Sequence, residues 1–181
     1  ARRDLCGGRR VTGVPTATAP TEKGYRSEVV GTRRPVAFWF IIVFLVLSVV
    51  LLLLGQTMSV VDYDLTVRLG LQESPEQVGA HGVQVNRAFG AGDTIIYIPL
   101  MVVSLAGLWL RKRWALLTTA AVAGISAYWS TTIGCMLMFL PGTPGYNYAP
   151  PLGIWLFVGA YMLFGIWCLL YLLSRGEALL Q

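Results

Sequence analysis

Groups that do chemistry are scarce in this chain. Only 13% of its 181 residues are charged, and it has one histidine and three cysteines. A metal site needs several convergent ligands. His81, with only Glu73, Glu76 and Asp93 scattered around it in the sequence, is a poor metal ligand and a poor catalytic base, so no metal and no catalytic residue is expected. Cys6, Cys135 and Cys168 lack the spacing of a redox motif, and no disulfide is expected. Cys135, Met136 and Met138 carry soft sulfur atoms, but Met136 and Met138 point about 200° apart on a helix and cannot converge on copper.

Apolar residues make up 55% of the chain, more than a soluble fold of this size can bury. A helix crossing a bilayer needs about 20 mostly apolar residues, and four runs approach that length: 36–54, 94–110, 114–140 and 151–173. The second is short and interrupted by Pro99, and the third is long enough to tilt. The expected fold is therefore an all-α integral membrane protein with four transmembrane helices. Residues 35–174 form this domain, 1–34 a flexible basic tail and 175–181 a short second tail.

Lys and Arg accumulate on the cytoplasmic flanks of membrane proteins. Residues 1–34 hold eight of them, Arg111-Lys112-Arg113 three and the C-terminal tail one, against only Arg68 and Arg87 in the segments between. Both termini are accordingly expected inside (N-in, C-in), with a bacterial cytoplasmic membrane as the location and an uncleaved first helix as the signal anchor. The net charge of +5 is a sum over two unlike faces. It points to anionic lipid headgroups on the basic face, not to nucleic acid.

The external segment 55–93 is too long for a simple turn. Residues 61–69 alternate apolar and polar side chains as a strand would, while Val61, Leu65 and Leu69 also recur at helical spacing before Gly70. A lone strand has no partner in a helical protein, so a short helix is favoured here. A second begins at Ser74-Pro75-Glu76-Gln77, whose pattern fits a capped helix start. Gly90-Ala91-Gly92 is expected to end it, with Asp93 capping the next span. One or two short interfacial helices are thus expected between helices 1 and 2.

The four runs contain no Asp, Glu, His, Lys or Arg. This argues against proton relays, voltage sensing and acid–base chemistry in the bilayer. The third run carries two rows of small residues, Ala123, Ala127 and Thr131 beside Ser126, Ser130 and Gly134, which let neighbouring helices approach closely. The leading expectation is a non-catalytic subunit that scaffolds or stabilises a larger, energy-transducing membrane complex, with other integral membrane subunits as partners and no cofactor. The alternative is a binding or transport protein for a lipid, sterol or quinone beside the third helix. Its candidate pocket residues are Tyr97, Tyr128, Trp129, Ser130 and Thr131, because aromatic rings with a few hydroxyls suit a lipophilic ligand.

Overall fold

Helix α1, Val36–Val61, is apolar all round, and its two faces differ chiefly in what touches them. Phe38, Ile41, Leu45, Ser48 and Leu52 recur every three or four residues and are buried, while Trp39, Val43, Leu47 and Leu54 are exposed. A helix that presents apolar groups on both faces suits a lipid surround. The computed structural model describes residues 34–181, so Cys6 and all but the last residue of the expected tail 1–34 lie outside the described residues. Among the described residues there is no strand, and four helices are long and apolar enough to cross a membrane.

After α1 comes a short helix α2, Tyr63–Arg68. The Asp62 carboxylate accepts the Leu65 N–H at 2.9 Å, and the Leu71 N–H returns to the Thr66 carbonyl past Gly70. The period-two pattern of 61–69 therefore yields to its helical one. Helix α3 runs Pro75–Trp109 as one element. At 1.5 Å per residue it is about 50 Å long, well beyond a hydrocarbon core of about 30 Å. This differs from the expected stop at Gly90-Ala91-Gly92. The three small residues stay helical, and Asp93 lies in helical conformation inside the element instead of capping a new one. Glycine weakens an isolated helix, but at Gly90 close packing against Gln56 and Ser59 of α1 replaces what propensity lacks.

Helices α4, Trp114–Phe139, and α5, Leu152–Leu180, complete the set. Consecutive helices run antiparallel, as their paired residues show. Thr57 meets Thr94 at one end of the α1–α3 pair, hydroxyl to hydroxyl at 2.9 Å, and Trp39 meets Trp109 at the other. Tyr97 on α3 reaches Ser126 on α4. On α5, Gly165 lies against Ala123 and Ala127 of α4. The ring closes where Tyr161 on α5 bonds to Ser48 on α1 and Phe44 stacks on Phe164. On α4, Ala123 and Ala127 thus meet α5 and Ser126 meets α3, while Gly134, in the same row as Ser126, faces Val158 of α5.

Charge separates to opposite ends of the bundle. Arg34, Arg111, Lys112, Arg113 and Arg175 lie at the end where α1 starts and α5 finishes its regular turns. The Arg34 guanidinium donates to the Trp109 carbonyl at 3.0 Å and sits over the Phe38 and Trp109 rings, satisfying the end of α3. The acidic residues Asp62, Asp64, Glu73 and Glu76 are at the other end.

Candidate functional site

The acidic end is roofed by the loop between α4 and α5, and one glycine makes the roof fit. Gly79 has φ 71° and ψ 168°, a region open essentially to glycine alone, and it interrupts α3 after the first turn. The interruption spares the Gln77 carbonyl from the helix, and it accepts the Asn147 N–H at 2.6 Å. The missing side chain matters too, because a Cβ on Gly79 would stand 3.2 Å from the Gly145 carbonyl oxygen. Pro75 and the Ser74 N–H, which donates to Gln77 Oε1 at 2.8 Å, fix the helix start just before this break.

Beneath the roof is a cavity of about 330 Å³, at the lower end of the range of about 300–1,000 Å³ usual for small-molecule sites. Its floor is the last turns of α4, through Ile133, Met136, Leu137 and Leu140, and Val78 and Val85 of α3 form an apolar wall. The polar lining is Glu73, His81, Asn86, Thr143, Tyr146 and Tyr148.

The polar side is organised around Glu73. Asn86 Nδ2 donates to Glu73 Oε2 at 2.9 Å and to the Tyr63 hydroxyl at 3.1 Å, while that hydroxyl donates to the Glu73 backbone carbonyl at 2.9 Å. One amide thereby fixes both a carboxylate and a phenol. Burial raises the Tyr63 phenol above its ordinary range, Asn86 partly offsets this, and the Glu73 charge adds to it. Tyr148 is pushed up to about 12, first by burial and then by the charge of Glu73, and Tyr146 is raised for the same reasons. The tyrosines around Glu73 therefore stay neutral hydrogen-bonding groups over the physiological range.

The residues singled out from the sequence fall elsewhere. Tyr97 is buried and bonded to Ser126 at 2.5 Å, and Ser130 and Thr131 return their hydroxyls to the carbonyls of Ser126 and Ala127. Trp129 packs against Phe157 and Tyr161, with no partner for its indole N–H among the described residues. Tyr128 is 74% exposed on the outer face. These five side chains pack helices together or face outward, and none lines the cavity, which opens at the next turns along α4. His81 does line it, though exposed on its open side. Among the described residues no three His, Cys, Asp or Glu side chains converge as a metal site would require.

A second polar feature lies inside the bundle. Both α1 and α3 contain a π-helical turn, Leu53–Thr57 and Asp93–Tyr97, and the two turns face each other. Such turns are rare and cluster at functional sites. The helices touch there through Gly90, where a Cβ would come within 2.5 Å of the Gln56 carbonyl. Asp93 is 6% exposed, and its Oδ2 and the Gln56 Oε1 have no hydrogen-bond partner among the described residues. Drawing spans by apolar runs alone left this carboxylate outside them, whereas α3, continuous beyond its break at Gly79, carries it into the bundle.

No protein family, no curated protein and no solved structure matches this chain.

Proposed function

We propose that this protein binds a lipophilic small molecule in the cavity at the outer end of α4 and does so without catalysing a reaction on it. The observation that carries the reading is the cavity itself. An apolar floor from α4 meets a polar lining from α3 and the roof loop, which is the division of labour of ligand sites: apolar groups bury the body and a few polar groups fix orientation. The segregation of basic and acidic residues to opposite ends supports an orientation with the cavity on the outer side and the basic end, where α1 starts and α5 finishes, on the cytoplasmic side; a bacterial inner membrane is the location proposed. Helix α2 and the outer turns of α3 would then lie at the outer interface.

The test is a space-filling substitution. Met136→Trp places a larger ring in the floor; protein purified from its native membrane should carry a small molecule that the variant lacks, with its thermal unfolding otherwise intact. Wild-type protein that emerges empty, or a variant that retains the same molecule, overturns the reading. Orientation is checked separately by labelling single cysteines at Leu69 and Lys112 in intact cells with a membrane-impermeant maleimide, where only the first should react.

A subunit role in a larger complex is the second reading. The open groove between α1 and α5, lined by Phe40, Phe44, Leu163, Phe164 and Trp167, has the aromatic character of a helix-packing surface. Mass measurement of the intact particle after gentle solubilisation decides it, since stoichiometric partner chains are required.

A further inference from the structure

We infer that the molecule held in this cavity carries a positively charged ammonium head on an apolar body, and that Glu73 with the rings of Tyr146 and Tyr148 forms the recognition site for that head. The inference rests on the cavity reading above and adds the chemistry of the ligand.

Among the described residues Glu73 is the one acidic residue in the lining, and no Lys or Arg shares it. Two basic residues of the acidic end, among those described, are engaged elsewhere: Arg68 donates to the Asp64 carbonyl and Arg87 to the Val60 carbonyl. His81, exposed at the edge, is the other ionisable group of the described lining besides the tyrosines. Glu73 is half-buried in this cavity, so a cation placed beside it meets a charge only partly screened by water. Asn86 donates one hydrogen bond to it, and no cationic side chain among the described residues of the lining faces it. The network through Asn86 and Tyr63 also holds the carboxylate in place before anything arrives, which lowers the ordering cost of binding.

Tyr146 and Tyr148 stand at 90° to one another with ring centroids 6.4 Å apart, two walls of a corner. Both rings line the same cavity as Glu73, so the corner and the carboxylate face one region. Aromatic faces attract cations, and quaternary ammonium groups are held by such corners. An anionic head would be repelled by Glu73, and a neutral head would leave its charge unmatched. A volume of about 330 Å³ corresponds to roughly eleven water-sized groups. This fits a head with a short chain or ring and excludes a whole diacyl lipid. The head can come from a free alkylammonium compound or from a membrane lipid that inserts its headgroup.

The test compares three probes with one chain: hexyltrimethylammonium, hexanol and hexanoate, titrated calorimetrically into the full chain in a neutral maltoside detergent. The ammonium probe should bind about tenfold more tightly than hexanol, with hexanoate weakest. Glu73→Gln should abolish the ammonium preference while leaving hexanol unchanged. Tyr148→Phe should retain it, and Tyr148→Leu should reduce it several-fold; this pair carries the test if Glu73→Gln unfolds on heating far below wild type. Equal binding of the three probes, or a preference that survives both Glu73→Gln and Tyr148→Leu, overturns the ammonium assignment and leaves the cavity reading standing. Failure of every probe to bind, together with no ligand lost in Met136→Trp, overturns the cavity reading itself. Repeating the titration in nanodiscs separates the two sources. Weaker probe binding in phosphatidylcholine than in phosphatidylglycerol identifies the lipid head as the natural occupant, and equal binding identifies a free ammonium compound; either result upholds the assignment.

Discussion

The Tyr161 hydroxyl on α5 donates to Ser48 Oγ on α1 at 2.7 Å, deep in the bundle and joining its first and last long helices. The same ring packs on Phe44, Phe157 and Trp129, so the residue does two jobs that substitution can separate. Tyr161→Phe removes only the hydrogen bond. Interhelical bonds of this kind contribute about 0.6 kcal/mol on average and at most about 1.7, and unfolding in detergent should show a loss in that range. Tyr161→Ala also removes the ring and should cost several times more.

Close approach of α4 and α5 depends on Gly165. A Cβ there would stand 2.6 Å from the Ala123 carbonyl oxygen and 2.7 Å from the Ala127 nitrogen, both backbone atoms that no rotamer change can move. Gly165→Ala should force the helices apart at a cost of about 1–3 kcal/mol. Gly159 on the same helix has open space where its Cβ would go, so Gly159→Ala should be neutral or slightly stabilising through helix propensity. Thermal unfolding of the two variants side by side is the measurement; equal effects would mean that helix contact at Gly165 is not what the side chain limits.

How much of this was legible in the sequence depends on the range of the interaction. The small residues of α4 are a local pattern, and Ala123 and Ala127, four apart on one helix face, do take the close approach of Gly165 on α5. The capped start at Ser74-Pro75-Gln77 is likewise a short-range signal. The continuity of α3 was not legible, because Gly90-Ala91-Gly92 reads as a stop by propensity, and only contact with Gln56 and Ser59 of α1 makes Gly90 an asset. The cavity was hidden for a related reason. Tyr128 to Thr131 form the most polar stretch in any apolar run, but a hydroxyl in a helix can bond to its own backbone, and three of the candidates pack or bond within the bundle. Asn86 gave no signal at all, since its role requires Glu73 and Tyr63, 13 and 23 residues away, to be folded beside it.

Alkaline titration should open the roof before the bundle. The Tyr148 phenol is held up to about 12 in the fold, against about 10 in an unfolded chain. A raised folded value means the fold binds the proton more tightly than the unfolded chain does. The stabilising contribution is therefore complete below about pH 10 and is lost as pH rises from there toward 12. Tyrosinate absorbance should show a late-titrating population, with faster amide exchange at Asn147 in the same window. Glu73→Gln removes the second cause of the shift and should move the late population to lower pH. A titration that is complete at ordinary tyrosine values would overturn the burial argument.

Asp93 presents the opposite case, a side chain whose removal should help the fold. It lies in an apolar span, about 24 Å along α3 from Trp109 at 1.5 Å per residue. At the centre of a span an Asp costs about 2.5–3.5 kcal/mol by insertion measurements, which is the upper bound for a position nearer one face. Against this cost, Oδ2 has no partner among the described residues, and the nearby hydroxyls are committed: Thr94 to Thr57 and the Gly90 carbonyl, Tyr97 to Ser126. Asp93→Asn keeps the shape and removes the charge, so it should raise stability in detergent by about 1–3 kcal/mol. Asp93→Leu should do no worse than wild type, because it also removes the unsatisfied oxygen. A loss of more than about 1 kcal/mol in both variants would show that the carboxylate is a structural ligand after all.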